Sequence, residues 1–200
     1  MGRTSTARER LLDAAGTLMR HRGYSGLGVA EICAAADVKK GSFYHFFTSK
    51  QDLTLRAIDA YWEEQHRAWS AALEGADPAL ARLRRLLEGM ADFQRRAKEE
   101  CGAVDGCLLG NLALELSTQE PDVRARLEEI FDAQTALIAR VLDEAAAEGA
   151  VPRERAGRPV ARAVIAHLEG LVLFAKLKND PAVLDTLWPH TLLLVGADRP

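Results

Sequence analysis

The stretch from residue 29 to residue 53 constrains this chain more than any other. Val29, Ile32 and Cys33 place apolar side chains on one face of a short helix over residues 29–36. Asp37-Val38 breaks that helix, and a second short helix follows over residues 39–46. Two short helices joined by a turn of about three residues make a helix-turn-helix, whose second helix enters a DNA major groove. The second helix has a composition that suits this role. Lys39, Lys40, Ser42, Tyr44 and His45 are polar and can reach phosphates or base edges, whereas Phe43, Phe46 and Phe47 pack it onto its neighbour. Gly41 costs about 1 kcal/mol of helix propensity against Ala, and its missing side chain lets the backbone approach DNA closely.

The rest of the chain reads as further helices. Leu11, Leu12, Ala15, Leu18 and Met19 recur at helical spacing and predict a first helix over residues 5–21, closed by Gly23. Ser49, with Asp52 three residues later, predicts a capped start for a long fourth helix reaching Leu73. Asp77-Pro78 opens a fifth over residues 78–98, with Asp77 as its cap and Pro78 in its first position. After a loop over residues 101–106, a sixth helix covers 107–117 and a seventh 121–148. Gly149 to Pro152 turns the chain into an eighth over 158–178, and Pro181 restarts it as a ninth ending near Val195. No segment alternates with a period of two, and there is no repeat or low-complexity tract. The expected fold class is all-α, with about nine helices.

Apolar residues make up 48% of the 200, enough for a packed core, and β-branched residues are sparse. No apolar run approaches the roughly 20 residues of a membrane span. Residues 1–10 lack the apolar core of a signal peptide, so the expected location is the cytoplasm, with no membrane partner. Cys33, Cys101 and Cys107 are an odd number, read as free thiols in a reducing compartment. No CxxC or HxxxH spacing is present, so no metal and no cofactor is expected. The net charge of −3 is uneven: residues 1–55 hold eight Lys/Arg against five acids, a net +3, which leaves −6 for the remainder. A basic head suits phosphate. The sequence carries no nucleophile elbow, phosphate loop or cofactor motif. His66, His167 and His190 are isolated. An enzyme is therefore the weaker reading.

Val29, Glu31, Ile32, Ala35, Val38, Lys40, Gly41, Tyr44, Phe47, Lys50 and Leu53, with the upstream Gly23-Tyr24, together resemble the signature of the TetR/AcrR family of transcriptional regulators. Departures from it are Cys33 for Ala, Asp37 for the turn glycine, Lys39 for a capping Ser, Phe46 before the final Phe, and Leu27-Gly28 for the Thr before the second helix. The signature covers about a quarter of the chain. The resemblance implies an N-terminal three-helix helix-turn-helix DNA-binding domain over residues 1–50. A C-terminal helical ligand-binding and dimerisation domain would cover residues 51–200. It implies DNA contact by Lys39, Lys40, Gly41, Ser42, Tyr44, His45 and Lys50, with Tyr44 and Lys50 on phosphates. Arg3 and Arg8 offer a basic arm for the minor groove or, more simply, an exposed terminus.

The implied function is a repressor that binds palindromic double-stranded operator DNA as a homodimer and is released by a small-molecule inducer. The alternative is a DNA-binding regulator without an inducer. In the family the last two helices pair with their symmetry mates. Here Val160, Val164, His167, Leu168, Leu171, Val172 and Ala175, then Leu184, Leu187, Leu192 and Leu194, supply apolar faces for that seam. Candidate ligand-lining residues between helices four and eight are Trp62, Trp69, Met90, Phe93, Asn111, Leu114, Glu115, Phe131, Gln134 and Phe174. Gly106-Cys107-Leu108-Leu109-Gly110-Asn111 resembles a Gly-Cys element of one subgroup, some of whose members sense electrophiles through a cysteine. Cys107, at a helix N-terminus, is a candidate for the same chemistry, although Asp105 opposes thiolate formation.

Overall fold

A computed structural model describes residues 3–197, with side chains from Thr6 onward; the side chain of Arg3, half of the basic-arm reading, lies outside the described residues. Among the described residues there are nine α-helices and no strand: α1 (Arg3–Arg22), α2 (Val29–Ala35), α3 (Lys40–Phe46), α4 (Lys50–Leu73), α5 (Ala79–Cys101), α6 (Leu108–Leu116), α7 (Pro121–Ala147), α8 (Arg158–Lys178) and α9 (Leu187–Val195). Short 3-10 segments cover Arg153–Arg155 and Pro181–Thr186.

Backbone packing divides the chain into two compact units. One joins residues up to 65 with 108–129, and the other joins 66–107 with the chain from 130 onward. α6 therefore packs with the N-terminal helices. The core of the first unit is built from Leu11, Ala15 and Met19 of α1, Ile32 of α2, Phe43 of α3, Leu53 and Ile58 of α4, and Leu108, Leu112 and Leu116 of α6, all buried. That of the second unit is built from Leu83 and Leu87 of α5, Ile138, Val141 and Leu142 of α7, and Val164, Leu168 and Val172 of α8.

Local chemistry sets the element ends. Gly28 has no side chain to cap α2, and only the reciprocal half of a capping box forms, with Glu31 accepting from the Gly28 N–H at 2.9 Å. The turn from α2 to α3 needs a left-handed residue, and Asp37 takes that role at φ 50°, with the Val38 N–H donating back to the Cys33 carbonyl at 2.9 Å. α4 starts with the expected cap: Ser49 Oγ accepts from the Asp52 N–H at 3.0 Å and Asp52 accepts from the Thr48 N–H at 2.9 Å.

Two expectations need correction. The first N–H of α5 is capped by Glu148, which accepts from Ala79 at 3.0 Å, while Asp77 pairs with Arg85 at 2.6 Å. Pro78 lies just before that helix, and α5 runs on to Cys101 before Gly102 ends it at φ 75°. The ninth helix does not start at Pro181, because Pro189 has no N–H to donate and its ring would collide with a preceding carbonyl. The α-helix instead begins at Leu187, which leaves Pro189 in the first turn where its missing donor is not needed, and the residues before it form the 3-10 segment.

Candidate nucleic-acid interface and the interior of the second unit

α3 has a polar outer face on an aromatic underside. Lys39, just before the helix, and Lys40, Gly41 and His45 are exposed, Tyr44 is 57% exposed, and Ser42 is half-buried. Beneath them Phe43 is fully buried, edge-on to Tyr44 at 5.1 Å and 5.6 Å from the buried Phe47. Phe46, expected to pack inward with them, is half-buried only. A Cβ built on Gly41 meets nothing within 4 Å, so nothing within the protein requires glycine there. Arg8 lies within α1, exposed, with its guanidinium 5.7 Å from the centre of the Phe47 ring.

Lys50 has a different occupation from the expected phosphate contact. Its ammonium donates to the carbonyls of Leu27 at 3.0 Å and Tyr24 at 3.2 Å, and lies 3.8 Å from the centre of the Tyr24 ring. A half-buried ammonium held by two carbonyls and a ring face is a structural cation. Glu115, expected to line a ligand pocket, sits on the same turn. Its carboxylate accepts from the Tyr24 and Ser25 N–H groups, each at 2.7 Å. Burial pushes the Glu115 carboxyl up, but these two bonds and the Lys50 charge outweigh it and hold the group below its usual value. The Tyr24 hydroxyl donates to Glu120 at 3.2 Å, and Gln51 donates to the same carboxylate at 2.8 Å. Burial first, then the Glu120 charge, push the Tyr24 phenol up to about 12.

The ligand candidates fare unevenly. In the first unit Trp62 is buried and Asn111 half-buried, but Leu114 is 79% exposed on the outer face of α6 and lines no interior. In the second unit Trp69 is buried, and Met90, Phe93 and Phe131 are half-buried. Phe174 is 51% exposed and belongs to an outward apolar stripe with Leu173 and Leu177 of α8; Leu193 of α9 is exposed as well. Buried polar atoms with no hydrogen-bond partner include Trp69 Nε1 and Gln134 Oε1. A groove of about 330 Å³ runs between α5 and the α9 end of this unit, lined by Ala91, Arg95, Leu184 and Trp188 among others, and holds none of the candidates. Arg95 there is bound by Asp92 and Asp185, each at 2.6 Å.

Cys107 is buried one residue before α6 and donates its thiol proton to Glu169 of α8. Burial pushes the Glu169 carboxyl up, and the thiol bond opposes this. The preceding loop is held rigidly: the Gln94 amide exchanges two hydrogen bonds with Gly106, at 3.0 and 3.1 Å, and Asn179 accepts from the Val104 N–H at 2.9 Å. Sequence reasoning missed Glu169. The signal was the lone acid of α8, set in its apolar middle at Leu168-Glu169-Gly170-Leu171.

Residues 11–57 match the family model described as bacterial regulatory proteins, tetR family. Residues 79–191 match the model described as tetracyclin repressor-like, C-terminal domain. The chain is 36% identical over 181 residues to the transcriptional regulator AcuR of Cereibacter sphaeroides, covering 88% of this chain and 80% of that one. It is 32% identical over 185 residues to the HTH-type transcriptional repressor DhaR of a Mycobacterium species, covering 92% and 89%. The solved structure of regulatory protein TetR from Rhodobacter sphaeroides shares the fold with a TM-score of 0.84 at 33% identity, over 92% of this chain and 96% of that one. The helix-turn-helix and the helical body are, with these relatives, those of a transcriptional regulator. The chain belongs to the TetR family of bacterial transcriptional regulators. Regulators of this family bind DNA and typically act as dimers. Among the described residues no helix is long and apolar enough to cross a membrane, and no cluster of His, Cys, Asp and Glu is arranged to hold a metal ion.

Proposed function

We propose that this protein is a dimeric repressor that reads a palindromic operator with α3 and is released by a small molecule. The observation that carries the reading is Gly41. It weakens its own helix, has no neighbour in the protein to justify it, and lies among exposed Lys39, Lys40, Tyr44 and His45. A close neighbour from outside, the DNA backbone or a base edge, accounts for it. Lys39, Lys40 and Tyr44 take phosphates, and Ser42 and His45 lie near base edges. Lys50 supports them from behind by holding the turn before α2.

The dimer follows from the same geometry. Two copies of α3 must stand about 34 Å apart to read both halves of a palindrome. The exposed Leu173, Phe174 and Leu177 on α8 and Leu193 on α9 supply the apolar surface for a second copy of this chain. The small molecule enters the second unit, where Trp69 Nε1 and Gln134 Oε1 offer one donor and one acceptor lacking protein partners. Binding shifts the population between DNA-competent and released states.

The experiment is fluorescence anisotropy on duplexes spanning the DNA beside the protein's own gene, with wild type and Tyr44→Ala. Tight, salt-sensitive, palindrome-dependent binding that weakens by about 1–3 kcal/mol in the variant is expected. No palindrome-dependent binding at moderate salt by a protein that is dimeric in solution sinks the reading.

Cys107 favours a second form of release, covalent capture of an electrophile. In conjugate addition to a quinone, an S–C bond forms as the ring C=C π bond breaks, its electron pair moves onto the quinone oxygen, and that oxygen takes the thiol proton by way of the Glu169 carboxyl. Titrating operator-bound wild type and Cys107→Ser with a quinone decides the matter. Identical release by both proteins ends the covalent version and leaves reversible binding.

A further inference from the structure

We infer that Glu115 is a positioning residue for DNA recognition: α6 sets the orientation of the α2–α3 pair through a carboxylate clamp on the turn between α1 and α2. The inference rests on the DNA-binding reading above.

The turn is gripped through both kinds of backbone group. Gly23, left-handed at φ 75°, directs the next two N–H groups to one side. Both land on the Glu115 carboxylate, 90 and 91 residues away in sequence. A Cβ on Gly23 would lie 2.9 Å from a Glu115 oxygen, so glycine is required there by the clamp as well as by φ. The carbonyls of Tyr24 and Leu27 go to Lys50, and the Tyr24 hydroxyl goes to Glu120 just before α7. Only Gly26, Leu27 and Gly28 separate the clamped residues from the first residue of α2. With so short a lead, a displacement of α6 carries the turn with it, and α2 and α3 follow. The hydrophobic core of the head, formed by Leu11, Ile32, Phe43 and Phe47, takes in the Tyr24 and Leu27 side chains but not the Glu115 carboxylate, which is half-buried. Removing the carboxylate should therefore leave the head folded but free to tilt.

The test uses the full chain. A duplex is first selected by the wild-type protein from a random-sequence pool, and a scrambled duplex of the same composition is the control. Affinities for both are measured for wild type, Glu115→Ala, Glu115→Gln, Gly23→Ala and the Gly23→Ala/Glu115→Ala double variant. Glu115→Ala should lose about tenfold or more on the selected duplex and stay within about threefold on the scrambled one. Glu115→Gln, which keeps one acceptor oxygen, should fall between, and it carries the test if the alanine variant does not fold. Gly23→Ala should cost less in the Glu115→Ala background than in wild type, because the two changes break one contact. Hydrogen exchange should show loss of protection at the Tyr24 and Ser25 amides with Phe43 still protected. Unchanged affinity for the selected duplex overturns the inference. So does equal loss on both duplexes, or loss of protection at Phe43, which would make Glu115 part of general stability. A wild type that enriches no duplex removes the DNA-binding reading and this inference with it.

Discussion

Asp37 holds φ 50° in the turn between α2 and α3, a conformation that glycine adopts without steric cost. Its ion pair with Arg10, at 3.7 Å and well exposed, contributes little. Asp37→Gly should therefore stabilise the protein by about 0.5–1 kcal/mol, seen as a rise in thermal midpoint of about 1–4 °C. A fall would mean that the carboxylate does more than the geometry shows. Gly41 is the opposite case. Gly41→Ala meets no neighbour, so it should raise stability by up to about 1 kcal/mol while weakening operator affinity at least severalfold. Equal or better DNA affinity in a more stable variant would remove the argument for close approach. Both positions were legible in the sequence, since a departure from glycine and a glycine inside a helix are local facts. Lys50, Glu115 and Glu169 were not. Their partners lie tens of residues away, and nothing in local spacing says which carbonyl, amide or thiol a long side chain will find.

At the scale of elements, the turn between α1 and α2 ties stability to pH from both sides. The Glu115 carboxyl is held below its unfolded value. Its stabilisation is thus present above the ordinary carboxylate range and is lost as pH falls through the depressed value. The Tyr24 phenol is raised from 10.0 to about 12, so its contribution is present below 10.0 and is lost as pH rises through about 12. Chemical denaturation of wild type, Glu115→Gln and Tyr24→Phe across pH should show this. The Glu115→Gln deficit should shrink toward acid and the Tyr24→Phe deficit toward strong base; deficits independent of pH would refute the assignment. Helix existence was readable from apolar spacing and caps, as the span of α8 and the Ser49–Asp52 cap of α4 show. The cap of α5 was not, because Glu148 lies 69 residues from the N–H it accepts.

For the whole molecule, the proposed assembly rests on the apolar stripe of α8. Phe174→Glu would put a charge in the middle of the proposed seam. It should give a monomer by sedimentation, with a thermal midpoint no longer dependent on protein concentration. A Phe174→Glu dimer of wild-type strength would place the seam elsewhere. An exposed Phe174 could not be told from a pocket-lining one in the sequence, since apolar residues on α8 serve the core and the outer stripe at neighbouring positions.

The first compact unit is not one continuous stretch: the chain leaves it after residue 65 and returns for residues 108–129. On the ribosome the helix-turn-helix therefore emerges before the rest of its own unit and waits for that remaining wall. Translation at about 5–20 residues per second puts roughly 3–13 seconds between residue 65 and residue 129. For most of that interval the turn before α2 has no Glu115 to hold it, and the α1 surface that α6 packs against stands open. A nascent regulator of this build closes the unit that carries its helix-turn-helix only after the whole of α5 has been made.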